Sequence, residues 1–135
     1  MRVIKYQNAM EEIKALDTSV IFRLFDERAP EDLKEEIRRI LFNERVFIPC
    51  EVVVELSYLL KTRLRKTKPE VVNIVSWLFL RENVELEPDC LSALSLWENS
   101  TLDKLADALI VVKAKRRGCA LVTLDEEMFK VYGEF

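Results

Sequence analysis

Short apolar runs alternate along this chain with longer stretches of helical periodicity, and that alternation limits the fold more than any other feature. Residues 13–16, 45–48, 84–86 and 120–123 are apolar runs of strand length. Between them the apolar residues recur every three or four positions. The spacing predicts helices over 18–27, from Pro30 onward with the stripe Leu33, Ile37, Ile40 and Leu41, over 50–64, over 69–80, from Pro88 to about 99, and from about 102 to 117. Pro30 and Pro88 suit first turns, Gly118 suits a helix end, and Asp125 starts a last helix. Strands alternating with helices pair in parallel through right-handed crossovers. The expected fold class is therefore α/β, built on a central parallel sheet of four to five strands. At 135 residues the chain has room for one domain and too little for two ordinary ones.

Two absences restrict the chemistry. The chain has no histidine, which excludes Ser-His-Asp and Cys-His catalysis and the usual zinc-enzyme ligand sets. It has two glycines, Gly118 and Gly133, too few for a phosphate-cradling loop or a dinucleotide fingerprint. Cys50, Cys90 and Cys119 are odd in number and far apart, so each reads as a small buried hydrophobe. Trp77, Trp97 and the seven phenylalanines read as core. No apolar stretch approaches the roughly 18 residues of a membrane span, and the N-terminus lacks a signal-type apolar segment. The expectation is a cytoplasmic protein without membrane contact. A net charge of −3 argues against a general nucleic-acid coat protein but not against a nuclease, because an acidic site subtracts from the total.

Four acids stand where the apolar pattern leaves little room for charge: Asp17 after the first run, Glu55 within Val52-Val-Val-Glu-Leu56, Asp107 within Leu105-Ala-Asp-Ala-Leu-Ile110, and Asp125 after Ala120-Leu-Val-Thr-Leu124. Desolvating a carboxylate is costly unless it is paired. In open parallel sheets, ligands bind beyond the carboxyl ends of the strands, and topology allows all four acids to reach that edge. A divalent cation is the simplest common partner for hard oxygen anions. Each acid also has a plain structural reading. Asp17 suits a helix cap, and Thr123-Leu-Asp-Glu126 fits a capping box. Glu55 has Lys61 or Arg63 within folding-back distance, and Glu51 reads as a first-turn acid. Asp103, in Ser100-Thr-Leu-Asp103, accounts for itself as a cap, whereas Asp107 lies too far in to be one. Of the basic clusters, 113–117 complements a helix end, while 61–68 is open as a solvated end, a partner contact or a lip for phosphates.

Together these segments resemble the PIN domain, and in particular the VapC-type toxins. The resemblance rests on the strand ending in Asp17-Thr18-Ser19, on Ile48-Pro49 followed by Val54-Glu55-Leu56, on Asp107-Ala108-Leu109-Ile110, and on Leu121-Val122-Thr123-Leu124-Asp125. It runs in order from about residue 13 to 130. It implies one PIN-like domain over 1–135, a three-layer α/β/α sandwich around the parallel sheet. Residues 1–12 form an N-terminal extension, since many members begin at the first strand. It implies an Mg²⁺- or Mn²⁺-dependent endoribonuclease with Asp17, Glu55, Asp107 and Asp125 as catalytic and metal-binding acids, and with Ser19 and Thr123 as supporting hydrogen bonders. Asp17 and Asp107 are the expected direct ligands. Glu55 and Asp125 are expected to bind a second ion or orient the attacking water. The implied partners are RNA, a second copy or more of the chain, and a small antitoxin protein. The chain departs from the family at Ser19, where Asn is frequent, and in ending ten residues after Asp125, which leaves the last edge strand short or missing. The alternatives are a catalytically silent PIN-fold interaction module and a housekeeping RNA-processing nuclease. A phosphotransfer receiver also gathers acids at strand ends, but this chain lacks the adjacent acid pair and the placed lysine such a protein needs.

Overall fold

The computed structural model describes residues 13–135. The N-terminal extension expected at residues 1–12 lies outside the described residues. By their packing the described residues divide into two compact units, 13–56 with Ile74–Glu87 and Ser57–Asn73 with Pro88–Phe135.

The first unit holds the sheet. Strands β1 (Lys14–Ala15), β2 (Val46–Ile48) and β3 (Val84–Leu86) lie in the order β1-β2-β3, all parallel. Lys14 is level with Val46, and Phe47 with Glu85. The ladder extends past the strand ends through Lys14 N to Arg45 O at 2.9 Å and Glu87 N to Ile48 O at 3.0 Å. Between β1 and β2 come α1 (Thr18–Phe22), a 3₁₀ turn (Arg23–Phe25) and α2 (Glu31–Asn43). The expected helix over 18–27 is thus cut short. Asp26 ends the turn in an extended conformation, with its own carboxylate bonded to Arg28 N. The stripe read on α2 is its buried side at Ile37, Ile40 and Leu41, which join Val46 and Ile48 in the core. Asn83, just before β3, donates from one amide nitrogen to Leu41 O and Glu44 O, both at 2.7 Å, and so fastens the end of α2 to the sheet.

Glu44 closes α2 and accepts from Lys14 and, at 2.6 Å, from Arg39. The hydrogen bond from Lys14, reinforced by Arg39 and opposed by burial, holds its carboxyl below the ordinary 4.5. The unfolded chain then binds the proton more tightly than the folded one, so this stabilisation is present above pH 4.5 and lost as pH falls through the folded value. Glu44→Gln is expected to lower the urea midpoint at pH 7, and the loss should shrink as pH falls below 4.5. A loss that does not shrink as the solution is acidified would assign Glu44 no ionic role.

Trp77 does not join the core as expected but is 62% exposed. On α4 (Lys68–Phe79) the residues Val75, Leu78 and Phe79 recur at three- and four-residue spacing and face inward, which turns Trp77 outward. Its ring meets Phe42 edge-on at 5.4 Å, and the Arg81 guanidinium lies 4.0 Å over Phe42 and 5.1 Å from Trp77.

In the second unit, α5 (Cys90–Glu98) packs on α6 (Leu105–Arg117), and α6 on α7 (Glu126–Glu134). Trp97 is fully buried here and donates from Nε1 to Asp103 O at 3.0 Å. Two lysines of the 61–68 cluster turn inward. Lys61 reaches Asp103 Oδ1 at 2.5 Å, and Lys68 donates to the carbonyls of Trp97 at 3.0 Å, Ser100 at 3.1 Å and Leu102. Gly118, at φ +69°, closes α6 in the left-handed conformation that glycine adopts without strain.

Three strands are found among the described residues, not four to five. The run 120–123 pairs with nothing, and Val122 and Leu124 are essentially fully exposed. A strand exists only through its ladder. Here the backbone bonds are local instead, from Cys119 N to Ala114 O at 2.8 Å and from Asp125 N to the Thr123 hydroxyl at 3.0 Å. Cys119 shares this exposure, so only Cys50 and Cys90 are the buried hydrophobes expected. No edge strand follows α7 among the described residues. No helix among them is long and apolar enough to cross a membrane.

Candidate active site

The first unit assembles Asp17, Ser19, Thr18 and Glu55. Asp17 follows β1 with extended backbone and caps α1, its Oδ1 accepting from Val20 N at 3.2 Å and from the Ser19 hydroxyl at 2.7 Å. Both bonds fall on one carboxylate oxygen, so capping leaves Oδ2 out. Glu55 lies on α3 (Cys50–Thr62), and its Oε1 accepts from the Thr18 hydroxyl at 3.3 Å. Thr18 is itself buried. Glu55 is exposed although Val52, Val53 and Leu56 beside it are buried. The helix explains this: Glu51, Glu55, Tyr58 and Thr62 recur at helical spacing and form one solvent-facing stripe. Neither expected cation turns back to Glu55, since Lys61 is held by Asp103.

The second unit assembles Asp107, Asp125 and Thr123. The helix read from about 102 begins at Leu105, so Asp107 lies in its first turn rather than deep inside it. Asp103 does not cap that helix. Lys104 occupies the cap position and Asp103 pairs with Lys61. The helix has one buried side: Leu105, Ala108, Val111 and Val112 face inward, while Ile110 is half exposed. Asp107 is partly buried. That burial, and next the negative charge of Asp125, push its carboxyl above the ordinary 3.8; Lys104 opposes the rise and Asp103 adds to it. Asp125 caps α7 through Oδ1, which accepts from Glu127 N at 2.9 Å and Met128 N at 3.1 Å. Again one oxygen serves the cap and Oδ2 stays outside it.

Among the described residues no three His, Cys, Asp or Glu side chains close a metal cage. The donors nonetheless suit one class of ion. Mg²⁺ and Mn²⁺ prefer oxygen ligands, and Mg²⁺ is typically held by one or two carboxylates with water and substrate phosphate completing the octahedron. Asp107 and Asp125 repel each other, and Asp107 is partly desolvated. A cation relieves both penalties, so the acids present fit the ion. Thr18 was not among the residues singled out by sequence, where it reads as one of three helix-start residues in a row. Its burial and its bond to a residue 37 positions away are tertiary facts.

Comparison with known proteins bears on this arrangement. A family model described as the PIN domain matches residues 14–134. A VapC ribonuclease of Aquifex aeolicus (strain VF5) is 31% identical over 129 residues, spanning 90% of this chain and 93% of that protein.

Proposed function

The chain belongs to the PIN domain family, and from that premise we propose that it is an endoribonuclease of the VapC type, hydrolysing RNA phosphodiester bonds as the toxin of a toxin–antitoxin pair. Its acids are Asp17, Glu55, Asp107 and Asp125, and its cofactor is Mg²⁺ or Mn²⁺. The observation that carries the reading is the partly buried Asp107 beside a second acid, Asp125, in a chain matched to the family almost end to end.

When bound, the ion neutralises charge on the phosphoryl oxygens and makes water a stronger nucleophile. The chain's own residues do the rest. Asp107 and Asp17 would hold the ion, Asp17 through the oxygen its cap does not use. Glu55 and Asp125 would bind a second ion or orient the attacking water, which passes its proton to one of these carboxylates, and the Thr18 hydroxyl fixes the direction of the Glu55 carboxylate. Ser19 and Thr123 keep their neighbouring acids in register as positioning residues. The P–O bond to the leaving oxygen breaks as the bond to water oxygen forms, and the leaving oxygen takes a proton from solvent. In this reading the protein acts in the cytoplasm as a homodimer or higher oligomer, and a small antitoxin protein silences it.

The test is cleavage of fluorescent RNA by the purified chain in Mg²⁺ or Mn²⁺ and in EDTA, with two variants of Asp125. Asn caps a helix as well as Asp does, so Asp125→Asn is expected to keep stability within about 0.5 kcal/mol and to lose about 100-fold or more in rate. Asp125→Ala is expected to lose a further 1 kcal/mol or so of stability. Cleavage that persists in EDTA, or in Asp125→Asn, would overturn the assignment.

A further inference from the structure

Beside Asp17 the first unit contains a cavity of about 320 Å³ that no step above uses. Its near wall is Ser19, whose hydroxyl donates to Asp17. Its apolar lining is Val20 and Leu33, with Ile37 fully buried behind them. The rim is ionic, formed by Arg23, Asp26 and Arg28. The segment after the 3₁₀ turn is built to hold that rim. Asp26 Oδ1 accepts from Arg28 N at 2.9 Å, and Ala29 N bonds Asp26 O at 3.1 Å, which folds 26–29 into a tight turn. Arg23 and Arg28 each stand 3.6 Å from the Asp26 carboxylate. Two guanidinium groups share one carboxylate, so the residues lining the cavity carry a surplus positive charge, and the exposed Glu27 of the same turn does not line it. The Arg28 side chain is 94% exposed and that of Arg23 52%, leaving both forks open to an incoming anion.

An apolar lining beside two arginines suits a ligand with an apolar face and an anionic edge. The volume is at the lower end of the roughly 300–1,000 Å³ of small-ligand sites. A helix of a partner protein, roughly 10 Å across with its side chains, does not enter such a space. An unpaired nucleotide does, and RNA offers its base faces to proteins mainly where the strand is not duplex. We propose that this cavity is a subsite for one unpaired nucleotide of the RNA strand next to the bond that is cut, its base against the part-exposed Val20 and Leu33 and its phosphate at Arg23 and Arg28. The inference rests on the ribonuclease reading and extends it. It makes sequence preference depend on the nucleotide held in the cavity beside Asp17.

The experiment uses the full chain, a short fluorescein-labelled single-stranded RNA of mixed sequence, and two variants. Arg23→Gln with Arg28→Gln removes the charge. Ala29→Trp fills the cavity from its wall and leaves the charge in place. Both are expected to raise KM about tenfold with kcat nearly unchanged, and to alter the distribution of cut sites. The double Gln variant is also expected to flatten the salt dependence of binding by about 0.7 for each phosphate no longer neutralised. Ala29→Trp at wild-type KM would overturn the subsite and assign any effect of the arginines to diffuse attraction. Unchanged KM in both variants would do the same while the wild type still cuts, so the ribonuclease reading would survive. If the wild type cuts nothing, that reading fails by itself. Anisotropy in EDTA, where the subsite requires both variants to bind the RNA more weakly than wild type, then decides the cavity alone. Loss of a protein partner in the variants, with RNA binding intact, would give the cavity to a peptide and overturn the inference.

Discussion

Asp107→Asn is expected to abolish RNA cleavage, by about 1,000-fold or more, and at the same time to raise the melting temperature in chelator. The two effects share one cause. Burial and the charge of Asp125 hold the Asp107 carboxyl above its ordinary 3.8. Between 3.8 and the folded value the folded state binds more protons than the unfolded one, so stability falls as pH rises through that window. At neutral pH the ionised carboxylate is therefore a cost in the absence of metal, and a neutral amide removes it. A gain of about 1 kcal/mol would raise the melting temperature of a chain this size by roughly 3–5 °C. Below pH 3.8 the gain should vanish, because the wild-type carboxyl is then protonated as well. Added Mg²⁺ or Mn²⁺ should reverse the order, since only the wild type gains from binding an ion to the folded state. Differential scanning fluorimetry in EDTA and in metal, beside the cleavage assay, checks all of this. A variant that melts lower in EDTA yet still cuts would make Asp107 a structural acid.

Lys68→Met is expected to give the largest loss of stability, about 3 kcal/mol, with a fall in melting temperature of roughly 10 °C. The Lys68 ammonium serves three carbonyls at once, of Trp97, Ser100 and Leu102, where α5 has ended and its last carbonyls have no helical donors. It also lies 5.4 Å from the centre of the Trp97 ring. Met keeps much of the stem's volume and removes every donor, so partly buried carbonyls are left unmet. The expected loss is smaller than three full penalties because holding the charge there already has a cost. Burial, and next the nearby Lys61, push the Lys68 ammonium below its ordinary 10.5, with Asp103 opposing. Arg63→Gln, an exposed neighbour in the same basic cluster, should stay within about 0.5 kcal/mol of wild type by urea unfolding. Equal effects from the two changes would mean that net charge, not the carbonyl clamp, decides stability.

The fold was legible where the interactions are short in sequence. The buried stripe of α2, the glycine end of α6 and the caps at Asp17 and Asp125 each involve groups at most five residues apart. The three parallel strands follow from alternation alone. Reading failed where a residue needs a distant partner. The run 120–123 has the composition of a strand but no ladder. Lys61 had Glu55 within a few residues and pairs instead with Asp103. Trp77 has the hydrophobicity of a core residue but lies on the outward side of α4.

By itself the sequence determined which chemistry is available: no imidazole, no glycine loop, and acids at the ends of apolar runs, because side-chain identity and local periodicity are properties of the chain. Tertiary structure alone decided that Thr18 lies buried against Glu55, that Asp107 bears the cost of burial beside Asp125, and that Val20 and Leu33 come together in the lining of one cavity. Desolvation and Coulomb energy depend on distance and solvent access in space, and neither can be read from separation along the chain.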